Sequence, residues 1–287
     1  KITKLILVSR NIFKLNKNKN KNVIFKSLDL TKVNKLPDAD IIVHAAETSV
    51  KKTSLDAFKK SIKISSKVTN NLIKILKKIN NQKNIIYFSS GAVYGSNNKI
   101  KKIKEASRLL KKNSKKNSFK NLYALNKIQS EQKILKIKNK HNVIILRLFS
   151  FVSKNIPENS NYILGNIKKS IKTNKTLILN SKNISSTYRS FLSTDDLINC
   201  IFKLLSKNLK NLNPIFNVGS DRSFSLLFLL NKVSKKFKLK YKLNKSQINK
   251  IDYYVPDITK LQSIIKYRIN KNTFDLIRIY LSSKNPL

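Results

Sequence analysis

Phe88-Ser89-Ser90-Gly91-Ala92-Val93-Tyr94-Gly95, followed by Tyr123-Ala124-Leu125-Asn126-Lys127, decides how this chain is read. Both stretches come after an apolar run, Ile41-Ile42-Val43, that continues into His44-Ala45-Ala46. An apolar run without alternation marks a strand buried on both faces of a parallel sheet. Ile85 to Phe88 is a second such run. Between them Val68, Leu72, Ile75, Leu76 and Ile79 recur at helical spacing and leave lysines and asparagines outside. Tyr123 and Lys127 lie in a segment, from about Phe119 to Lys138, that reads as a long helix, where residues four apart share one face. The lysine charge favours the phenolate over the phenol. A serine from the end of the neighbouring strand, Ser90, can complete a proton-transfer triad.

Outward from this centre, strand-like and helix-like segments alternate, which predicts an α/β fold with a mainly parallel sheet. Leu5 to Val8, Val23 to Phe25 and Val143 to Leu146 read as strands. Asn155-Ile156-Pro157 reads as a break, Asn161 to Lys172 as a helix and Leu177 to Leu179 as a short strand. Thr194 is placed to cap a helix whose first turn holds Asp195 and Asp196, favourable at the positive end of the helix dipole. Ile215 to Val218 reads as a strand closed by Gly219. Ser223 is placed to cap a helix with Leu226, Leu227, Leu230, Val233 and Phe237 on one face, and Thr273 to Leu281 forms a last helix.

The 287 residues are 40% apolar, enough for a packed core, and carry a formal charge of +47. That charge invites a nucleic-acid reading. Lysine and asparagine are spread over nearly every segment, however, as in Lys14 to Lys21 and Lys111 to Lys120. A dedicated binding surface concentrates charge on one face and adds arginine or interleaved aromatics. Uniform excess reads instead as compositional drift, giving loose, salt-sensitive adhesion to polyanions. The longest apolar runs, such as Leu226 to Leu230, are too short to span a bilayer, and Leu5 to Val8 is too brief for a secretory signal. The single cysteine, Cys200, lies in an apolar helical pattern and reads as a buried thiol, consistent with a cytoplasmic protein. Two histidines and one cysteine at unrelated positions offer no metal-ligand spacing. His44 reads as a packed strand-end residue and His141 as a loop residue.

Taken in order, these segments resemble the extended short-chain dehydrogenase/reductase superfamily, in particular its NAD(P)-dependent nucleotide-sugar epimerases and dehydratases. Tyr123 to Lys127 matches Tyr-x-x-x-Lys, and Ser89 to Gly95 is similar to the strand that carries the catalytic serine or threonine. Tyr188 to Asp196 is similar to an Arg-x-aromatic-aliphatic segment ending in Asp. Ile215 to Gly219 matches an aromatic-Asn-Val-Gly strand, and Tyr254 to Lys260 a tail segment. The likeness covers almost the whole chain and is greatest to enzymes labelled dTDP-glucose 4,6-dehydratase-like.

The resemblance implies a Rossmann-like doubly wound parallel sheet with a smaller C-terminal α/β domain. Residues 1–155, with 188–218 returning, make the dinucleotide-binding part, and 156–187 with 219–287 the substrate part. Tyr123 is then general base and acid, Lys127 holds the nicotinamide ribose, and Ser90 bonds the reacting sugar oxygen. Asp29 and Leu30 border the adenine, and Ala45 and Ala46 pass the cofactor as backbone. Arg10 follows the strand where a carboxylate would select NAD; a cation there meets the 2′-phosphate of NADP or is an ordinary surface arginine. Asn166 and Arg189 hold the nucleotide diphosphate, and a homodimer is implied.

Two departures bear on function. The chain holds four glycines and no Gly-x-x-Gly-x-x-Gly turn, so the first strand and its phosphate-cradling loop are read as absent, and weak dinucleotide binding is expected of the chain as it stands. With no methionine at position 1, the chain is expected to begin after the start of its gene product. A true 4,6-dehydratase also carries Asp-Glu after its catalytic threonine, whereas Gly91-Ala92 follow Ser90 here. Loss of that acid/base pair favours a 4-epimerase or 4-keto reductase of surface-polysaccharide sugar synthesis. A non-catalytic NADP-binding regulator and an inactive truncated product are the competing readings.

Overall fold

The first apolar runs become parallel strands. β1 (Leu5–Ser9) pairs with β2 (Val23–Ser27), in register from Leu5 opposite Val23 to Ser9 opposite Ser27. This computed structural model describes residues 2–12, 20–47, 54–111, 118–153, 156, 162–209, 212–244, 250–269 and 272–283. Asn155, Pro157 and Asn161, named above at a break and a helix start, lie outside them. The chain divides into two compact units, Lys1–Ser89 with Lys112–Ile145, and Ser90–Lys111 with Leu146–Leu287.

In the first unit β3 (Ile41–His44) runs parallel to β4 (Asn84–Ser90), with Ile41 opposite Asn84 and His44 opposite Tyr87. Parallel neighbours need a crossover, and α1 (Leu55–Lys78) supplies it. Ser54 caps α1 by accepting from the Ala57 amide, Asp56 lies in its first turn, and Lys77 and Lys78 lie in its last. All three complement the helix ends. Phe58, Leu72, Ile73, Ile75 and Leu76 form its buried face. β5 (Asn142–Leu148) lies next to β4 in the sheet, and α2 (Phe119–Leu135) connects the two. Ile85, Ile86, Ile144 and Ile145 are buried, as their unbroken apolar runs imply. The β1–β2 pair is a separate sheet from the one edged by β3. Leu5 and Val43 accordingly remain 47% and 46% exposed.

α2 is unlike α1. It has no apolar stripe, and its buried residues include Asn126, Lys127, Ser130 and Glu131. Ser118 caps it through the Asn121 amide, and it ends at Leu135, a turn earlier than its sequence suggests. Burying charge is costly unless it is paired, so a polar inner face marks a helix kept for something other than packing. His141 lies in the connection between α2 and β5, as its loop reading expects, but it is not a surface residue. It is fully buried, taking the Lys83 amide at Nδ1 (3.2 Å) and meeting the Leu76 carbonyl at Nε2 (2.9 Å).

The second unit opens with a 3-10 turn, Gly91–Tyr94, and takes up β5 again from Leu146, where β10 (Ile215–Val218) lies beside it. Its other strands are short. β6 (Phe151–Val152) pairs with β9 (Leu192–Ser193), and β7 (Leu177–Leu179) with β12 (Tyr241–Leu243), both parallel. β8 (Thr187–Arg189) lies between antiparallel β11 (Phe224–Ser225) and parallel β13 (Asp252–Tyr254). α3 (Ile163–Thr173), α5 (Leu226–Phe237) and α7 (Thr273–Ser282) pack Leu164, Ile167, Leu229, Leu230, Ile277 and Tyr280 into one core. α4 (Thr194–Leu205) and α6 (Thr259–Ile265) complete the unit. The caps of α4 and α5 are Ser193 and Ser225 rather than Thr194 and Ser223. In each case the serine hydroxyl accepts from the amide three residues on, which fixes the helix start.

Candidate active site

Tyr123 and Lys127 lie one turn apart on α2, Lys127 buried and Tyr123 half-buried. Lys127 is 5% exposed, and its Nζ is 5.6 Å from the Tyr123 ring centroid and 5.1 Å from that of Tyr87. It donates to the Phe88 carbonyl at 2.9 Å and forms an ion pair with Glu47, three residues past β3. One turn further on, Glu131 accepts from the Ser89 hydroxyl at 2.5 Å. Two charged groups of one helix are thus fastened to consecutive residues at the end of β4. That fixes the height of α2 against the strand and holds the ammonium beside the phenol.

His44 closes the inner side of this cluster. Its ring lies 5.2 Å from that of Tyr87, and its Nε2 is 3.0 Å from the Thr69 hydroxyl. Burial, aided by the Lys127 charge, pushes its pKa down to about 3, so it is neutral and acts as packing. Burial likewise pushes the Tyr87 phenol up. Ala45 and Ala46 follow β3 as exposed residues. Asp29 accepts from the amide and hydroxyl of Thr31 at 2.9 and 2.8 Å, which holds its carboxyl below the usual range, with Arg10 adding to the effect. Arg10 is exposed, and its carbonyl accepts from the Ser27 hydroxyl. The Leu30 carbonyl accepts from the Asn71 side chain at 3.1 Å, and its side chain lines a cavity of about 20 Å³ with Val33, Leu36, His44, Val68, Leu72 and Ile75. That volume suits a single water at most.

In the second unit Ser90 caps the 3-10 turn by accepting from the Ala92 amide at 3.2 Å, and its hydroxyl lies 3.4 Å from that of Tyr254. Arg189 forms an ion pair with Asp252 at 2.8 Å, and its guanidinium stands 5.6 Å from the Tyr254 ring centroid. Ser90 and Arg189 are therefore neighbours of the same half-buried tyrosine. Asn166 lies in the first turn of α3, half-buried. Asp196, read above as a capping charge, is buried and accepts from Ser193 at 2.6 Å and from Tyr267. Cys200 is buried, and burial pushes its thiol up to about 12, so it is unreactive at neutral pH.

A second polar cluster in this unit joins Tyr94, Asn217 and Arg147. The Tyr94 hydroxyl donates to Asn217 Oδ1 at 2.7 Å and accepts from Arg147 Nη1 at 2.8 Å. Asn217 Nδ2 donates to the Ile103 carbonyl at 2.8 Å, its amide donates to Glu105 Oε1 at 2.9 Å, and Arg147 reaches the Glu105 carbonyl at 3.1 Å. Tyr94 and Asn217 thus serve as an internal clasp; burial pushes the Tyr94 phenol up to about 12.

Three functional candidates escape a reading of the sequence: Glu47, Asp252 and Tyr254. Glu47 had a signal. The chain has 14 acidic residues against 61 basic ones, so a carboxylate directly after His44-Ala45-Ala46 stands out. Asp252 and Tyr254 reach Arg189 only through pairing of β13 with β8, across some sixty residues of chain.

The model of the NAD dependent epimerase/dehydratase family matches residues 2–219. No curated protein matches the chain. Among solved structures, a UDP-glucuronic acid 4-epimerase from Bacillus cereus, in complex with UDP-glucuronic acid and NAD, is similar at a TM-score of 0.80 and 19% identity, over 97% of this chain and 90% of that one. An NAD-dependent NDP-hexosamine 5,6-dehydratase of tunicamycin biosynthesis is similar at a TM-score of 0.78 and 15% identity, over 97% and 88%. A UDP-N-acetylglucosamine 4-epimerase from Methanobrevibacter ruminantium M1, in complex with UDP-N-acetylmuramic acid, is similar at a TM-score of 0.78 and 19% identity, over 97% and 89%. At these identities the likeness is one of fold, and the fold is the expected Rossmann-like α/β arrangement.

Proposed function

The chain belongs to the NAD dependent epimerase/dehydratase family, and on that premise we propose that it acts on the carbinol of a nucleotide-diphosphate sugar, as a 4-epimerase or 4-keto reductase. The observation that carries this reading is the pair on α2: a buried ammonium, held by the Phe88 carbonyl and Glu47, beside the Tyr123 phenol. A free phenol titrates near pH ~10 and is a poor base at neutrality. A cation held at this range favours its ionised form, and a base titrating near the working pH is the efficient one.

A bound NAD or NADP supplies the hydride acceptor and donor. The residues present fit its nicotinamide ribose: Lys127 offers ammonium protons, and the exposed Ala45 and Ala46 put no bulk beside it. Tyr123 takes the proton of the sugar hydroxyl as the carbon is oxidised and returns it as the carbon is reduced. Ser90 bonds the reacting sugar oxygen and holds it in line. Arg189 and Asn166 take the diphosphate; a guanidinium can grip two phosphate oxygens at once. Asp29 and Leu30 border the adenine, and Arg10 sets the preference between NAD and NADP. In this reading residues 1–155 with 188–218 make up the dinucleotide-binding domain, which also lends Ser90 and Arg189 to the sugar nucleotide, and 156–187 with 219–287 the smaller substrate domain, bounds that differ from those of the two compact units. Gly91-Ala92 after Ser90 supply no acid/base pair for loss of water, which sets dehydration aside. Surface-polysaccharide precursor synthesis in the cytoplasm, by a homodimer, completes the proposal.

The test is a panel of UDP- and dTDP-sugars incubated with protein and NAD or NADP, with sugar products read by NMR and nicotinamide absorbance followed. Tyr123→Phe should abolish turnover and leave nucleotide affinity nearly unchanged. Turnover retained in that variant removes Tyr123 from the role.

A further inference from the structure

The groups around Tyr123 raise a question that the pair with Lys127 alone does not answer. An ammonium fixed beside a phenol favours the phenolate at all times, whether or not a cofactor is present. Lys127 is not alone, however. Its side chain is almost fully buried, while that of Glu47, its ion-pair partner, is 30% exposed. Glu47 comes from the loop after β3, directly behind Ala45 and Ala46. The other ionisable groups around the pair are His44, Tyr87 and Glu131. His44 is neutral, Tyr87 is held as a phenol by burial, and Glu131 accepts from Ser89. α1 meets α2 through the uncharged Phe58, against Phe119, and through Ser66, which accepts from Lys133 at 3.4 Å.

We infer that Glu47 is a positioning residue that holds Lys127 and offsets its charge, keeping Tyr123 a phenol until the cofactor arrives. The inference rests on the reading of Tyr123 as the base. A carboxylate on the ammonium leaves the phenol facing a near-neutral pair instead of a cation. Only the further positive charge of an oxidised nicotinamide then tips Tyr123 towards the phenolate, so the base forms where it is used. A nearby unit charge moves a pKa by roughly 1–3 units. Loss of one such charge, that of Glu47, should lower the Tyr123 pKa by about one unit.

The experiment is a pH titration of cofactor-free protein labelled with ¹³Cζ-tyrosine, the Tyr123 signal being assigned from its disappearance in Tyr123→Phe. Glu47→Gln should move the Tyr123 titration down by about one unit, and Glu47→Asp should leave it near the wild-type value. Lys127→Met should move it up. A Tyr123 titration that stays put in Glu47→Gln while rising in Lys127→Met overturns the role of Glu47 and leaves the lysine–tyrosine pair intact. A titration indifferent to Lys127→Met overturns the reading of Tyr123 itself. If Glu47→Gln displaces the signals of tyrosines in both units, the residue is structural and the inference is wrong.

Discussion

Removing one hydroxyl should measure the clasp of the second unit. Tyr94 donates to Asn217 and accepts from Arg147, and both partners are buried. Tyr94→Phe keeps the ring against Phe149, 6.3 Å away between centroids, so it creates almost no cavity. What it takes away is polar. Asn217 Oδ1 loses its donor, and an unsatisfied buried acceptor costs roughly 1–3 kcal/mol. Arg147 loses one charge-assisted bond, of a kind contributing roughly 1.5–3 kcal/mol, but keeps the Glu105 carbonyl, so only part of that is forfeited. The sum is about 2–4 kcal/mol, or roughly 2–4 °C of Tm for each kcal/mol in a unit of this size. The chain has no tryptophan, so urea unfolding is best followed by far-ultraviolet circular dichroism. Asn217→Ala and the double variant complete a cycle, with a coupling of about 0.5–3 kcal/mol expected between contacting partners. A loss below about 0.5 kcal/mol in Tyr94→Phe, the scatter of ordinary surface substitutions, would refute the reasoning.

Other consequences follow from single positions. A Cβ at Gly91 would come within 2.8 Å of the Phe149 ring, so Gly91→Ala should destabilise by roughly 1–3 kcal/mol, measured by urea midpoint. His44, with its pKa pushed down to about 3 against about 6.5 unfolded, takes up a proton only on unfolding between those values. Stability should therefore fall as pH drops from about 6.5 towards 3, by up to about 1.4 kcal/mol per pH unit from this group, and His44→Asn should flatten that slope in pH-dependent melts. Asp252→Asn frees Arg189 from its ion pair; sugar-nucleotide affinity by calorimetry should rise or hold, whereas Arg189→Ala should weaken it tenfold or more. An unchanged affinity in Arg189→Ala would exclude that residue from diphosphate binding.

Much of the first unit was legible because its signals are local. Ile41 to Val43 and Ile85 to Phe88 declare buried parallel strands by lacking alternation, and both became parallel strands, but only the second is buried; β3 edges its sheet and leaves Val43 exposed. The spacing of Tyr123 and Lys127 placed them on one face of a helix, and they meet there. The second unit was less legible because β6, β8, β9, β11 and β13 are two or three residues long, too short for any period to register. The helix caps were missed by one or two residues because serine and threonine occur in clusters at those starts, and only backbone geometry chooses among them. His141 is the loop residue it read as, but its burial was not legible, because its partners are an amide and a carbonyl far along the chain, which no side-chain pattern discloses. Glu47 stood out as a rare carboxylate, but its role was not legible because its partner lies eighty residues on.

β1 and β3 each end their sheet, with no further strand beside them among the described residues, and each shows an apolar side chain to solvent. Such rims are templates on which a second molecule can lay its own backbone. The formal charge of +47 supplies a guard, since approaching copies repel one another. That guard reaches about 8 Å at physiological ionic strength and only about 3 Å in molar salt. Concentrated solutions should then cloud as salt is added, the reverse of the usual salting-in of a basic protein, with turbidity beginning at the strand rims rather than by global unfolding.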